Sequence, residues 1–284
     1  MNNTLIIDGS NLMHRSYWVS SKHNRPILSL FLGSIRKLNN DHNPTEIYLA
    51  WDTRLIKGEK NFRRTSSTEY KSNRDKDNWK KVYEHEKEIR EVCGSLGIKN
   101  IYPGILEADD IISHLCDVLQ GVKTIVTSDH DMLQLISNAV SVYNPMRKLE
   151  YNYKNFHEHF PVPVESYIQY KALIGDKSDN IAGIPGVGPK RAVRILKDGV
   201  DQCLNDEQLQ IYKDNLKMVD LKEGLKRHPQ EIDIYNYQIK EMKKLKADSK
   251  QFALHCENHT IEHSDLFSSF FKNDINNAVL DILT

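Results

Sequence analysis

Short apolar runs alternate with amphipathic stretches in the first half of the chain. Between the first two apolar runs, residues 27–38 have helical apolar spacing, and residues 108–119 have it between the last two. The four runs are typical of buried strands and cover residues 4–7, 46–51, 98–102 and 123–127. Strand, helix and strand in this order predict right-handed parallel crossovers. We therefore expect an α/β fold over residues 1–160, with a mainly parallel central sheet flanked by helices.

From about Pro161 the pattern changes to helices separated by turns rich in glycine and proline. Residues 164–174 have helical spacing, and residues 175–188 are dense in turn formers. A second helix then begins at Pro189, a residue favoured in the first helical turn. The pattern predicts a helix-turn-helix over about 164–198, inside a helical domain over 161–284.

Composition sets broad limits on the protein class. The chain has 284 residues, of which 39% are hydrophobic, enough for one large core. It lacks an apolar run of the roughly 18 residues that a membrane span needs, and a leader pattern at its start. Its four cysteines are far apart, which favours reduced thiols over a zinc site or a disulfide framework. We expect a cytoplasmic monomer, in the host cytoplasm if a phage encodes it.

The charges are balanced overall but not locally. The chain has 39 basic and 39 acidic residues, so net charge alone does not indicate a nucleic-acid partner. Residues 54–81 nevertheless contain ten Lys or Arg against four acids. This basic segment is a candidate for contact with a polyanion.

Acidic residues stand where three of the predicted strands end. Asp8, Asp52 and Asp129 each follow an apolar run, at the sheet edge where open α/β folds bind ligands. Three carboxylates at one edge repel each other unless a cation lies between them. Further acids follow in short clusters: Glu107, Asp109 and Asp110, then Asp131, then Asp176 and Asp179.

Such a set of oxygen ligands suits hard divalent cations. Mg²⁺ or Mn²⁺ prefers carboxylates, whereas zinc would favour histidine or cysteine. Two ions about 4 Å apart can activate water and stabilise the leaving oxygen of a phosphodiester. For any single acid, capping of a turn or a helix is an equally good interpretation. Four separate segments ending in acids favour the metal hypothesis.

Four motifs in order resemble the 5′ nuclease (flap endonuclease) superfamily. They are DGSN at 8–11, EADD at 107–110, TSDHD at 127–131 and GDKSDNIAGIPGVGPK at 175–190. The resemblance covers about residues 4–220 and is strongest to stand-alone phage 5′-3′ exonucleases of the T-even ribonuclease H type. It implies the PIN-like 5′ nuclease fold, with a helix-three-turn-helix that binds DNA.

The resemblance also implies roles for the acids. Asp8, Asp52, Glu107 and Asp109 would hold the first metal ion, and Asp110 would be shared or supporting. The second ion would be surrounded by Asp129, Asp131, Asp176 and Asp179. Relatives also hold a monovalent cation, often K⁺, at the helix-three-turn-helix.

Basic and glycine residues are the candidates for DNA contact. By resemblance, Lys71 and Arg74 would stabilise charge on the scissile phosphate, and Arg15 would steer a phosphate. The residues of the turn before the second helix also favour phosphate contact. Glycines let a phosphate approach the backbone, and the free amides of a helix N-terminus face that phosphate. The DNA-binding candidates are Arg15, Tyr70, Gly186, Gly188, Lys190 and Arg191.

The expected function is two-metal hydrolysis of phosphodiesters near the junction of 5′-flapped or branched DNA, or at RNA primers in RNA–DNA duplexes during replication. Replication proteins such as a single-stranded-DNA-binding protein or a sliding clamp are candidate partners. Two alternatives stay open. One is a PIN-type ribonuclease, which shares the acids at strand ends but has no need of residues 183–191. The other is a branched-DNA-binding protein without catalysis.

Overall fold

The computed structural model describes residues 2–53, 63, 81–262 and 264–271. Strands β1 to β6 form one sheet in the order β3-β2-β1-β4-β5-β6. All neighbours are parallel except β5 and β6. The prediction of a mainly parallel sheet is confirmed. The strands are β1 (Asn3–Asp8), β2 (Glu46–Ala50), β3 (Lys99–Ile101), β4 (Val122–Val126), β5 (Val140–Asn144) and β6 (Leu149–Tyr151).

Helices cover both faces of this sheet. Successive residues of a strand point to opposite faces, so Leu5 and Ile7 belong to one apolar core and Ile6 to the other. The first core is formed with α1 (Gly9–His23), α2 (Ile27–His42) and α3 (Glu86–Ser95), and the second with α4 (Ala108–Val118). Both predicted helices, within 27–38 and 108–119, are confirmed by α2 and α4.

Two strands of this six-stranded sheet were not anticipated from the sequence. Strand β5 alternates strictly between buried and half-buried residues, and β6 pairs with it in antiparallel register. The alternation in Val140–Asn144 is the period of two expected for a strand, so the signal was available. These strands extend the sheet beyond β4.

The second half of the chain is helical, as expected. After α5 (Phe156–His159), helix α6 (Tyr167–Ile174) is followed by a two-stranded hairpin of β7 (Gly175–Asp176) and β8 (Ile181–Ala182), and then by α7 (Pro189–Asp198). The hairpin lies inside the stretch for which only turns were expected. The α-helices described after α7 are α8 (Val200–Cys203), α9 (Asp206–Val219), α10 (Lys222–Arg227), α11 (Gln230–Met242) and α12 (Ser249–Asn258).

The C-terminal elements return to the sheet. Helix α12 and Phe267 and Phe271 pack into the core that contains α1 and α2. None of the described helices combines the length and the hydrophobicity that a membrane span requires.

Candidate functional site

Three neighbouring strands bring acidic side chains to one edge of the sheet. Asp8 is the last residue of β1, Asp52 lies two residues beyond β2, and Asp129 lies three residues beyond β4. Strand β1 pairs in parallel with both β2 and β4, so all three carboxyl ends meet. The expected convergence of these acids is what the topology produces.

Asp8 is the most enclosed of the three. It is the N-cap of α1, where its Oδ1 accepts a hydrogen bond from the Asn11 amide at 2.9 Å, and its Oδ2 accepts one from Thr127 Oγ1 at 3.1 Å. Burial, followed by repulsion from Asp52 and Asp129, raises the pKa of Asp8 to about 7. The three carboxylates are therefore close enough to repel, and a cation among them would relieve that repulsion.

Hydrogen bonds tie the neighbouring acid segments to this centre. The amide of Asp129 donates to Thr127 Oγ1 at 3.1 Å, and Asp129 Oδ1 accepts from the Asp131 amide at 2.8 Å. On the other side, Asp52 Oδ1 accepts from the Ala108 amide at 3.0 Å, which joins Asp52 to the first turn of α4. Capping and clustering therefore occur together, and the two interpretations of these acids are compatible.

The start of α4 contributes a second group of acids. Glu107 is the N-cap and forms a reciprocal capping box with Asp110. Arg63 donates to both oxygens of Asp110 at 3.0 Å each and approaches Glu107 Oε2 at 3.4 Å. Arg63 and Asp110 are 1% and 0% exposed, so this is a buried ion pair. Asp109, which lies between Glu107 and Asp110 in the sequence, is half-buried.

A lysine neutralises the third group. Lys171 of α6 is buried and its Nζ contacts Asp131 Oδ1 and Asp176 Oδ2. Although burial acts in the opposite direction, the Lys171 ammonium lowers the pKa of Asp176 to about 2. Asp179, three residues further along, is also buried. Lys171 of α6 thus brings Asp131 and Asp176 together.

The donors fit hard divalent cations, although they are not arranged as a closed cage. Within residues 2–53, 63, 81–262 and 264–271, no three Asp, Glu, His or Cys side chains surround a common metal position. Four of the acids are instead paired with Arg63 and Lys171. The repulsion of Asp8 by Asp52 and Asp129 is the feature that a divalent ion would relieve, and oxygen-only donors suit Mg²⁺ or Mn²⁺.

The turn between α6 and α7 presents backbone to solvent. Gly186 has φ of 77°, a conformation that favours glycine, and Gly188 is the N-cap of α7. Pro189 occupies the first turn as predicted, while Lys190 and Arg191 are exposed beside it. The buried side chains of Ile184 and Val187 anchor the turn from below. Two exposed cations at a helix N-terminus can contact a phosphate.

We expect this turn to tolerate alanine at one glycine and not at another. A Cβ at Gly183 would lie 2.3 Å from the backbone oxygen of Ile174, whereas a Cβ at Gly188 meets nothing within 4 Å. Gly183→Ala should therefore lower the free energy of unfolding by about 1–3 kcal/mol, the usual cost of overpacking. Gly188→Ala is the matched control: its Cβ meets no neighbour, so it should cost only the smaller loss of a poorer N-cap residue, below about 1 kcal/mol. Urea denaturation measures both, and equal effects would contradict the close approach.

Not every candidate residue can be placed. Tyr70, Lys71 and Arg74, with most of the basic segment 54–81, lie outside the described residues, so their roles stay predictions. Arg15 lies half-buried on α1, two helical turns from Asp8.

Sequence reasoning missed the roles of Lys171 and Arg63. The signal for Lys171 was a lysine within the apolar sequence of α6, between Tyr170 and Ala172. Arg63 lies 47 residues from Asp110, and nothing in the sequence links the two.

Family models match the chain in two consecutive parts. The N-terminal resolvase-like domain of 5′-3′ exonucleases matches residues 3–161, and the C-terminal SAM fold of the same enzymes matches residues 162–262. Together these matches include every metal candidate and the turn before α7.

Individual relatives agree with the family models. The 5′-3′ exonuclease of Mycoplasmopsis pulmonis is 33% identical over 203 residues, which cover 68% of this chain and 66% of that protein, about two thirds of its length. The flap endonuclease of Escherichia phage T5 is 28% identical over 214 residues, covering 69% of this chain and 70% of that protein. The particular resemblance to nucleases of the T-even ribonuclease H type stays a prediction.

The fold has a solved counterpart. A crystal structure of a phage T5 protein co-crystallised with metal ions superposes with a TM-score of 0.72 at 24% identity, over 86% of this chain and 99% of that chain. At this identity the likeness concerns the fold, a mostly parallel sheet flanked by helices.

Proposed function

The chain belongs to the 5′-3′ exonuclease family, and we propose that it is a metal-dependent 5′ nuclease that hydrolyses phosphodiester bonds near the junction of 5′-flapped DNA or at RNA primers. The observation that carries the proposal is the meeting of Asp8, Asp52 and Asp129 at the carboxyl edge of three adjacent strands. A protein that only bound a polyanion would gain nothing from negative charge at this point.

The acids divide into two sets that would hold two cations. Asp8, Asp52, Glu107 and Asp109 form the set for the first ion, and Asp129, Asp131, Asp176 and Asp179 the set for the second. Asp110 has a supporting role, because both of its oxygens are engaged by Arg63. When bound, divalent cations supply a lowered pKa for water and compensate charge on the phosphate. We propose Mg²⁺ or Mn²⁺ for both positions, and K⁺ at the turn before α7.

The protein's own groups bind and orient the substrate. The turn 183–191 would bind the phosphate backbone of duplex DNA, a contact that does not depend on the base sequence. Arg15 lies on the helix that Asp8 caps, and so would meet a phosphate close to the acids. Lys71 and Arg74 are proposed to stabilise charge on the scissile phosphate. Lys171 is proposed to hold Asp131 and Asp176 in place and to keep Asp176 ionised.

A cleavage assay tests the function directly. A 5′-labelled flap substrate should be cut in Mg²⁺, leaving a 5′-phosphate on the downstream product, and should stay intact in EDTA. Matched substrates with an RNA 5′ segment, and single-stranded RNA alone, separate the alternatives. Cleavage of RNA alone would favour the PIN-type ribonuclease, although that hypothesis does not account for the match over 162–262. Binding without any product in Mg²⁺ or Mn²⁺ would favour the non-catalytic alternative.

The proposed grip on duplex DNA predicts a change in salt dependence. Lys190 is exposed in the first turn of α7, whereas Lys197 is exposed in its last turn. Lys190→Ala should reduce the slope of log affinity against log salt concentration by about 0.9, the value for one lost phosphate contact. Lys197→Ala should leave the slope unchanged. Fluorescence anisotropy in Ca²⁺ across a salt series measures both, and identical slopes would place the duplex elsewhere.

Replication proteins, including a single-stranded-DNA-binding protein and a sliding clamp, are proposed partners because the proposed RNA-primer substrates arise during replication. We also propose that the chain acts as a cytoplasmic monomer. The division of the chain near residue 160 remains a prediction.

A further inference from the structure

Helix α11 makes polar contacts to a loop that leads into the acidic site. Gln238 Oε1 accepts from the Tyr102 amide at 2.8 Å, and its Nε2 donates to the Tyr102 carbonyl at 2.8 Å. Glu231 lies two helical turns earlier on the same face. Its Oε2 accepts from the Gly104 amide at 2.8 Å, and its Oε1 accepts from the Ile105 amide at 3.1 Å. Two side chains of α11 therefore hold four backbone groups of residues 102–105.

This loop lies between two segments that carry acids. It ends two residues before Glu107, the N-cap of α4. On its other side, Thr53 Oγ1 donates to the Gly104 carbonyl at 3.0 Å, directly beside Asp52. The path of the loop thus sets where the start of α4 stands relative to Asp52.

Glu231 is the central contact. The Glu231 residue is 1% exposed, and burial of a carboxylate is costly unless hydrogen bonds compensate for the lost water. The two amides are therefore strong partners. A Cβ at Gly104 would lie 2.3 Å from Glu231 Oε1, so the carboxylate fills the space beside the loop backbone.

We propose that Glu231 is a positioning residue for the divalent cation site, acting through the loop 102–105 on Glu107 and Asp109. This inference rests on the proposed function and extends it to α11, which contributes no acid to the proposed set. Supporting contacts around metal ligands commonly change metal affinity by about 10–100-fold when they are removed. Glu231 would have that influence because it fixes the backbone that precedes the ligands.

Calorimetric titration with Mn²⁺ tests the proposal without depending on turnover. Glu231→Ala should raise the dissociation constant for Mn²⁺ by about 10–100-fold. Glu231→Gln keeps the size and one acceptor oxygen but turns an NH₂ group toward the second amide, so its loss should be smaller. The control is Asp233→Asn, an exposed acid on the same helix, which should bind Mn²⁺ like the unsubstituted protein.

Two further measurements separate positioning from general loss of stability. In flap cleavage, the Mg²⁺ concentration for half-maximal rate should rise, while duplex affinity in Ca²⁺ and the rate at saturating Mg²⁺ stay near those of the unsubstituted protein. Hydrogen exchange at the Gly104 and Ile105 amides should become faster while exchange in β1 stays slow. If Glu231→Ala does not fold, the isosteric Glu231→Gln decides by the same measurements.

Unchanged Mn²⁺ affinity in both variants would overturn the positioning role while leaving the nuclease proposal intact. Equal losses of duplex affinity and rate with an unchanged Mg²⁺ requirement would also overturn it. If the unsubstituted protein bound no Mn²⁺ and cut no flap, the proposed function itself would fail, and the positioning role with it.

Discussion

Asp8→Asn is expected to reduce flap cleavage by on the order of a thousandfold, comparable with losses seen when a charge-stabilising group is removed from an active site. Asparagine has nearly the same shape, and its oxygen can still accept from the Asn11 amide. The substitution removes one of three carboxylates that would face a cation, and it replaces the oxygen that accepts from Thr127 Oγ1 by an NH₂ group, which can donate to that hydroxyl instead. Duplex binding in Ca²⁺ should persist, because the turn 183–191 is untouched.

The same substitution should stabilise the protein in the absence of metal. Asp8 is buried and repelled by Asp52 and Asp129, so neutralising it removes an unfavourable charge from the folded state. In EDTA the melting temperature should rise by roughly 2–4 °C for each kcal/mol of repulsion removed. Mg²⁺ should raise the melting temperature of the unsubstituted protein more than that of the variant, because a bound ligand stabilises the folded state.

An exposed acid provides the control for both measurements. Asp41 lies on α2, paired with Lys37 at the surface. Asp41→Asn should change neither cleavage nor the Mg²⁺-dependent rise in melting temperature. Undiminished cleavage by Asp8→Asn would remove Asp8 from the site, and a lower melting temperature in EDTA would show that its charge is compensated in the metal-free protein.

The sequence was most informative where chemistry coincides with local pattern. Asp8 and Asp129 follow short runs typical of strands, and parallel strands place their carboxyl ends at one edge, so their convergence follows from the pattern and topology. The first turn of α7 was equally clear, because proline is favoured only at a helix start. Such features depend on neighbours in sequence.

Features that depend on distant contacts were not accessible in this way. Lys171 pairs with Asp131 across 40 residues, and Glu231 meets Gly104 across 127. A lone lysine or glutamate in a helical stretch gives no indication of its partner. The region after residue 220 therefore had no assigned role until its helix α11 was seen against the loop before α4.

The counter-cations also change how the site is understood. The sequence pattern predicted nine acids held together by metal ions. In the fold, Arg63 and Lys171 already neutralise part of that charge, so the acids of α4 and of 129–131 are held in place by side chains as well as by any bound ion. Loss of one of these cations should therefore destabilise the fold itself.

Arg63→Met is expected to lower the free energy of unfolding by about 3–5 kcal/mol, the usual cost of leaving one member of a buried ion pair without its partner. Asp110 is fully buried, and both of its oxygens accept from Arg63 at 3.0 Å. Methionine fills a similar volume but offers no positive charge, so the Asp110 carboxylate would be left in the core. Urea denaturation in EDTA measures the loss without interference from metal binding.

The double variant Arg63→Met with Asp110→Asn separates charge from packing. Asparagine is neutral, and its oxygen can still accept from the Glu107 amide, which Asp110 Oδ2 does at 3.0 Å. Because no uncompensated charge then remains, the double variant should recover most of the stability lost in Arg63→Met. As a control, Lys37→Met removes the cation of an exposed pair and should change stability little. Additive losses in the double variant would mean that Arg63 stabilises the fold by packing alone, and that the start of α4 does not depend on a compensated charge.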